Sequence, residues 1–354
     1  MSSFTVLGSL NYDLVTITER IPKGGETFQS EAFETHIGGK GLNQCVSISK
    51  LTTSKQGRAI FPKGVQVKLA GSIGSDGFGT EILNYLSQFS INLDNLQVLQ
   101  GVKTGVAVIL IEKSTGENRI MITPGANGYS GNLDLEKIFP LSESNLNHFV
   151  VLQNEIPNVP DSISWLAANR PGHNIVYNPS PIYDYSAGCL SNVDVLVVNE
   201  GEAVALLKSL LQNDTKSYSH WFSKYKEDKI EPHWFIDVAR YLNRMIRSSN
   251  LGLVVVTLGP YGAVYSHQTS TAGVLPSKKI ANIVDTTGAG DTFLGGLISF
   301  LATKLETCDD LKEEDITEAL EFAILASSIA IQKVGASESM PFYDEVGKSQ
   351  TDGA

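Results

Sequence analysis

Cysteine is scarce in this 354-residue chain. The three present, Cys45, Cys189 and Cys308, are odd in number and far apart. That pattern offers neither a disulfide framework nor the paired spacing of a zinc site. Long hydrophobic runs are missing too, and no stretch approaches the roughly 18 apolar residues that a membrane span needs. The opening segment MSSFTVLGSLNYD lacks the basic region and apolar run of a secretory signal. Positive charge is in the minority, with 27 Lys+Arg against 38 Asp+Glu and a net charge of -11. This balance argues against a nucleic-acid-binding face, while small anions stay within reach of backbone amides. There is no GxGxxG after the first strand-like run, which counts against a dinucleotide-dependent oxidoreductase. VGKS at 346–349 is not a Walker loop, because Phe342 stands where its first glycine belongs. Internal repeats are absent. With 42% hydrophobic and 18% charged residues, what remains is a globular protein of a reducing compartment, cytoplasmic or nuclear.

What the sequence does contain is a succession of short β-branched runs: FTVLG, VQVKLAG, GVAVILIE, RIMIT, HFVVLQ, NIVYNP, VDVLVVNE and LGLVVVTLG. Several of the later ones are apolar on both alternations, as in parallel strands covered on two faces. Helix-like segments at 76–89, 200–211 and 236–248 lie between them. The alternation predicts βαβ units around a mostly parallel sheet, with ligands outside the carboxyl ends of its strands. Residues 11–37 and 101–125 are strand-rich and poor in helix formers, and are expected to pair as a small separate sheet. The remainder of 1–10, 38–100 and 126–342 then forms the large domain, and 343–354 reads as a frayed tail. Residues 52–64 and 213–234 look like surface insertions, the second with enough aromatics to pack somewhere.

Four glycine- or carboxamide-bearing clusters follow such runs. In DTTGAGDTF (285–293) the apolar residues Phe293, Leu294, Leu297, Ile298 and Leu301 take helical spacing, so a helix starts near Gly288–Asp291. Glycines let amides approach an anion there, and the helix dipole adds attraction. Asp291 could simply cap that helix, or serve as a base beside an anion hole. HIGGKGLNQC (36–45) has the same form, with donors from Lys40 and Asn43 suited to a sugar's hydroxyls. GSLNYD puts Asn11 and Asp13 on one face of a strand. VNEGEA sets Asn199 and Glu202 just past a buried-type strand, where they could orient a hydrated Mg²⁺. GSIGSDGFG (71–79) lacks nucleotide spacing and reads as a strand-to-helix turn.

In this order, GGKGLNQ, TGVAVILI, TPGAN, VNEGEA, VTLGPYGA and DTTGAGDTF resemble the ribokinase branch of the PfkB carbohydrate kinase family, from Val6 to about Phe342. The resemblance implies a three-layer α/β/α fold with a β-sheet lid, and ATP-dependent phosphorylation of D-ribose at O5. It implies that Asn11, Asp13, Gly39, Lys40, Asn43 and Glu155 hold the sugar beneath Ala107 and Ile109 of the lid. Asp291 would be the general base, and Gly288, Ala289 and Gly290 the anion hole. Asn199, Thr257 and Gly259 would line the nucleotide site, with Glu202 acting through Mg²⁺-bound water. A K⁺ site would map to Asp285, Thr287, Ala330, Lys333, Gly335 and Ser339, partly through backbone carbonyls. Two lids would clasp in a homodimer. The chain departs from the family at Ile324, where many relatives carry Asn or His near the adenine. The 213–234 insertion would cover or crowd the same nucleotide edge. A kinase for another sugar or a nucleoside, and a catalytically idle sugar sensor, are the alternatives.

Overall fold

The computed structural model describes residues 1–351 except 59, 62–63, 116, 142–146, 228, 269–270 and 307–309. Cys308 therefore lies outside the described residues, while Cys45 and Cys189 are buried free thiols. The chain opens with β1 (Ser2–Leu7), β2 (Asn11–Thr18) and β3 (Ala32–Gly38), then helix α1 (Lys40–Leu51). Next come β4 (Val65–Gly74), α2 (Gly77–Leu86), β5 (Ile91–Leu99), β6 (Gly105–Glu112) and β7 (Asn118–Thr123). A single turn, α3 (Leu135–Ile138), leads to β8 (Asn147–Gln153), α4 (Val159–Asn169), β9 (His173–Asn178), β10 (Val195–Asn199) and α5 (Glu200–Leu211). The last part holds α6 (Thr215–Phe222), α7 (Pro232–Asn243), β11 (Leu253–Thr257), β12 (Ala263–His267), β13 (Thr271–Leu275), α8 (Ala289–Leu305), α9 (Glu313–Ala330) and α10 (Tyr343–Thr351).

Nine strands form the central sheet in the order β13-β12-β11-β10-β9-β8-β1-β4-β5. It is parallel from β5 to β11, and β12 and β13 close one edge antiparallel. Two hydrophobic clusters flank it, one under α1, α8 and α9, the other under α4, α5 and α7. Apolar residues on both alternations of β8, β10 and β11 are thereby buried from both sides. Among the described residues no helix is long and apolar enough to cross a membrane.

The two strand-rich segments do pair, in a separate sheet ordered β3-β2-β6-β7 whose central β2–β6 pair is parallel. Its root is fixed to the large domain. Asp76 caps α2 through the Gly79 amide at 3.0 Å, and the Thr104 amide and hydroxyl bind the same carboxylate at 3.0 and 2.6 Å. Tyr12 of β2 stacks on Phe78 of α2, with ring centroids 4.2 Å apart.

One expectation changes. Of the tail, Tyr343–Thr351 is helical, and Val346 is fully buried against Leu51, Phe322 and Leu325. A single apolar anchor in a polar stretch gives too weak a periodic signal to read from sequence. The second insertion packs as its aromatics suggest: Trp221, Phe222, Tyr225 and Trp234 lie edge-on or tilted in one cluster. It runs back along α5, with Lys208 Nζ 5.6 Å over the Phe222 ring. At its far end burial raises the Tyr225 phenol, and the Glu227 and Glu200 carboxylates add to the rise.

Candidate active site

Two helix starts converge at the carboxyl edge of the sheet. Helix α1 begins after Gly39, whose φ of 91° follows the last residue of β3. Helix α8 begins after Gly288, at φ 73°, whose carbonyl accepts the Thr292 amide at 2.8 Å. The helices pack closely because Gly295 has no side chain; a Cβ there would stand 2.1 Å from Ser47 Oγ. This brings Asn43 and Gln44 onto Asp291. Gln44 Nε2 donates to Asp291 Oδ1 at 2.9 Å and Asn43 Nδ2 to Oδ2 at 3.3 Å. Asp291 is only 7% exposed and makes no capping bond to its own helix. The simple cap is therefore not what its carboxylate does. Gln44, also within GGKGLNQ, is a further residue of the site that the motif's glycines, lysine and asparagine do not point to. It is fully buried, and it also donates to Asn178 and accepts from Gln153 at 2.7 Å.

The sugar-side residues gather next to this pair. Asn11 and Asp13 of β2 are in register with Gly105 and Ala107 of β6, so Asn11, Asp13 and Ala107 share a face. Ile109 pairs with Val15 on that face, one step farther along the lid. Asn11 is aimed by Asn127 of the PGAN turn, whose Nδ2 donates to Asn11 Oδ1 at 2.8 Å while its Oδ1 accepts the Leu10 amide at 2.9 Å. Glu155, just beyond β8, accepts the Ser9 hydroxyl and the Lys40 amide. Burial opposes the Lys40 ammonium, yet the carboxylates of Asp291, Glu155 and Glu202 raise it above its ordinary value. Lys40 therefore stands among the Asp291, Glu155 and Glu202 carboxylates. Asn43 Oδ1 is buried without a hydrogen-bond partner. An orphan acceptor beside a held carboxylate fits an incoming hydroxyl.

Asn199 and Thr257 end neighbouring parallel strands in register, and Gly259 follows at φ 52°. Asn199 Oδ1 accepts the Glu202 amide at 2.8 Å and Glu202 Oε2 accepts the Asn199 amide at 2.9 Å, a capping box on α5. Glu202 Oε1 accepts no hydrogen bond among the described residues, and Glu202 is a residue that could orient a hydrated Mg²⁺. Among the described residues no cluster of three or more His, Cys, Asp or Glu could hold a metal directly. A hydrated Mg²⁺ uses few carboxylates and does not require such a cluster. Ile324 is 6% exposed and belongs to the core under α1, α8 and α9.

Of the K⁺ candidates, Asp285 gathers most. Its Oδ1 accepts the Thr287 amide and hydroxyl at 2.9 and 2.6 Å, and its Oδ2 the Gly335 amide at 3.0 Å. These bonds hold the carboxyl below its usual range despite burial. Ser339 donates to the Ala336 carbonyl at 2.8 Å, and Ala330 accepts the Lys333 amide at 3.0 Å. The Lys333 side chain points away, to within 4.0 Å of Glu345. Oxygen-rich turns beside one carboxylate suit a weakly held monovalent cation. The loop also packs against the start of α8, since a Cβ on Gly288 would meet Ala336 Cα at 3.0 Å.

Burial, with the Glu155 and Glu338 carboxylates adding and His36 opposing, raises the Asp13 carboxyl to about 7. Unfolded, it would titrate near 4. The folded chain thus keeps a proton that the unfolded chain releases between about pH 4 and 7, and stability is lost as pH rises through that window. Asp13→Asn removes the effect. Its melting midpoint relative to the parent should be more favourable at pH 8 than at pH 5 by about 2 °C or more; equal differences at both pH values would contradict this assignment.

Residues 1–342 match the pfkB family carbohydrate kinases. The chain is 33% identical to the ribokinase of Schizosaccharomyces pombe over 352 residues, 99% of this chain and 98% of that one. The solved ribokinase of Cryptococcus neoformans var. grubii in complex with ADP superposes with a TM-score of 0.75 at 28% identity, covering 99% of this chain and 100% of that one. Arabidopsis thaliana ribokinase complexed with ribose and ATP gives 0.72 at 26% identity and 98% coverage of each. A nine-stranded sheet, a separate four-stranded lid, a buried aspartate at a glycine-led helix start and a match over nearly the full length lead to one conclusion: the chain belongs to the pfkB family of carbohydrate kinases.

Proposed function

We propose that this kinase transfers the γ-phosphoryl group of ATP to O5 of D-ribose, giving D-ribose 5-phosphate and ADP. The observation that carries the reading is the buried Asp291 carboxylate, held by Asn43 and Gln44 at the start of α8. Relatives named as ribokinases, one solved with ribose and ATP, support the choice of sugar and donor. Asn11, Asp13, Asn43, Glu155, the Gly39 turn and Lys40 would hold the hydroxyls, with Ala107 and Ile109 above them. Asp291 then accepts the O5 proton. A carboxylate is a weak base toward an alcohol, so proton transfer comes late, as the new O–P bond forms and the oxygen turns acidic.

Charge on the transferring group is met by amides at the start of α8. The Ala289 amide already donates to the Thr286 carbonyl at 3.2 Å, whereas those of Gly288, Gly290 and Asp291 have no partner among the described residues. The hole proposed for Gly288, Ala289 and Gly290 is therefore best supplied by the first and third, joined by Asp291's own N–H. When bound, Mg²⁺ would neutralise phosphate charge from the Glu202 side, and K⁺ would fix the Asp285–Ser339 loop electrostatically. Asn199, Thr257 and Gly259 would border the nucleotide. The lid excludes water that would otherwise take the phosphoryl group.

The test is ADP release from Mg·ATP with D-ribose, D-fructose, 2-deoxyribose or adenosine, each in potassium and in sodium buffer. Ribose-dependent turnover that rises in potassium is expected. Preference for fructose or adenosine would overturn the sugar, and ribose binding without turnover in either salt would favour a sensor. Asp291→Asn should lower kcat by about 10²–10⁴-fold with little change in ribose affinity; near-full turnover would remove Asp291 from the chemistry.

Homodimerisation through the lids is the assembly that best fits the exposed apolar side chains of the lid sheet, Phe33, Ile120, Met121 and Ile122, each 47–61% exposed. Sedimentation equilibrium should return twice the 38.2 kDa chain mass. Met121→Lys should shift it toward the monomer, and a parent that sediments as a monomer would contradict the assignment.

A further inference from the structure

Lys50 is an unusual residue to find under a catalytic loop. It stands in the last turn of α1, is 6% exposed, and makes no ion pair within 4.0 Å among the described residues. Its ammonium instead donates to three backbone carbonyls of one short segment: Ser337 at 2.8 Å, Met340 at 3.0 Å and Glu338 at 3.3 Å. The rings of Phe89 and Phe342 lie 5.6 Å away from it. Three donors are thus matched by three acceptors, with aromatic faces closing the cage. Burial lowers the amine to about 8, with Glu338 opposing, so the charged form still prevails at neutral pH.

The segment that Lys50 holds is the one around Ser339. On one side, Gly335 ties it to Asp285 and Ala336 packs on Gly288. On the other, the Ser337 hydroxyl reaches the Ile37 carbonyl of the lid strand β3 at 3.4 Å. Carbonyls that converge on one point repel each other unless a cation sits among them. Lys50 supplies that cation permanently, from the same helix that presents Asn43 and Gln44 to Asp291.

We propose that Lys50 is a positioning residue for the cation loop: by gathering the 337, 338 and 340 carbonyls it presets Gly335 and Ser339 to receive K⁺ next to the anion hole. This rests on the K⁺ reading above. A purely structural anchor for the end of α1 would weaken the fold without changing how much K⁺ the loop needs. The electrostatic effect alone has the opposite sign, because removing a nearby positive charge favours cation binding. The direction of the change therefore separates preorganisation from simple repulsion.

The experiment compares the full-length protein with Lys50→Met and Lys50→Arg at constant ionic strength, replacing choline chloride with KCl. Two readouts are followed: the K⁺ concentration giving half of the K⁺-dependent rise in melting midpoint, and that giving half-maximal kcat. Hydrogen exchange over 335–340 is measured alongside. For Lys50→Met both K⁺ constants should rise about tenfold and exchange in the segment should accelerate. Lys50→Arg, which keeps charge and donors, should stay within about threefold of the parent. Should the methionine variant not fold, Lys50→Gln is read by the same criteria. Unchanged or lowered K⁺ constants in a folded variant would overturn the role of Lys50. A parent protein whose melting midpoint and turnover ignore K⁺ would instead overturn the cation site itself.

Discussion

The site depends on the hydrogen bonds that Gln44 and Asn43 make to Asp291 across the α1–α8 contact. A carboxylate this far from water is costly unless it is paired or hydrogen-bonded. Here two carboxamides meet both of its oxygens, and Lys40 contributes positive charge from the α1 start. The contact requires a small residue at 295, because a side chain there would collide with Ser47. Two helix starts are thereby aimed at one spot, and their dipoles favour anionic groups there. On the proposed reading, the phosphoryl group and the base would share this region without either needing a surface lysine patch. An acidic protein can bind ATP on these terms.

The lid and the cation loop are extensions of this centre. Asn127 fixes Asn11 where β2 leaves the large domain, and Asp76 with Thr104 fixes the entry to β6. Both lid entries are therefore tied to the large domain. On the opposite side, Asp285 and Lys50 draw the 335–340 turn against Gly288.

Much of this was legible in the sequence because it is local. Doubly apolar runs marked β8, β10 and β11, and clustered glycines marked the starts of α1 and α8. The strand-rich segments 11–37 and 101–125 pointed to a second sheet because they lacked helix formers. Other features were hidden because they are tertiary. Gln44 and Asn127 look like ordinary polar residues until their partners arrive from 247 and 116 positions away. Lys50 reads as a solvated helix-end lysine, and only the return of the chain at 337–340 makes it a buried cation. Asp291 illustrates the limit best. Its place in the first helical turn allows a cap as well as a base, and the neighbour helix shows that both oxygens are met by Asn43 and Gln44.

The most direct measurement is a structure of the protein with D-ribose, Mg·ADP and aluminium fluoride as a mimic of the transferring phosphoryl group. The account predicts the planar fluoride about 2.7–3.1 Å from the amides at 288, 290 and 291, in line with ribose O5. O5 itself should lie within hydrogen-bond distance of an Asp291 carboxylate oxygen, with Asn43 Oδ1 accepting a sugar hydroxyl. A fluoride bound away from the start of α8, or a ribose whose O5 faces another residue, would contradict it.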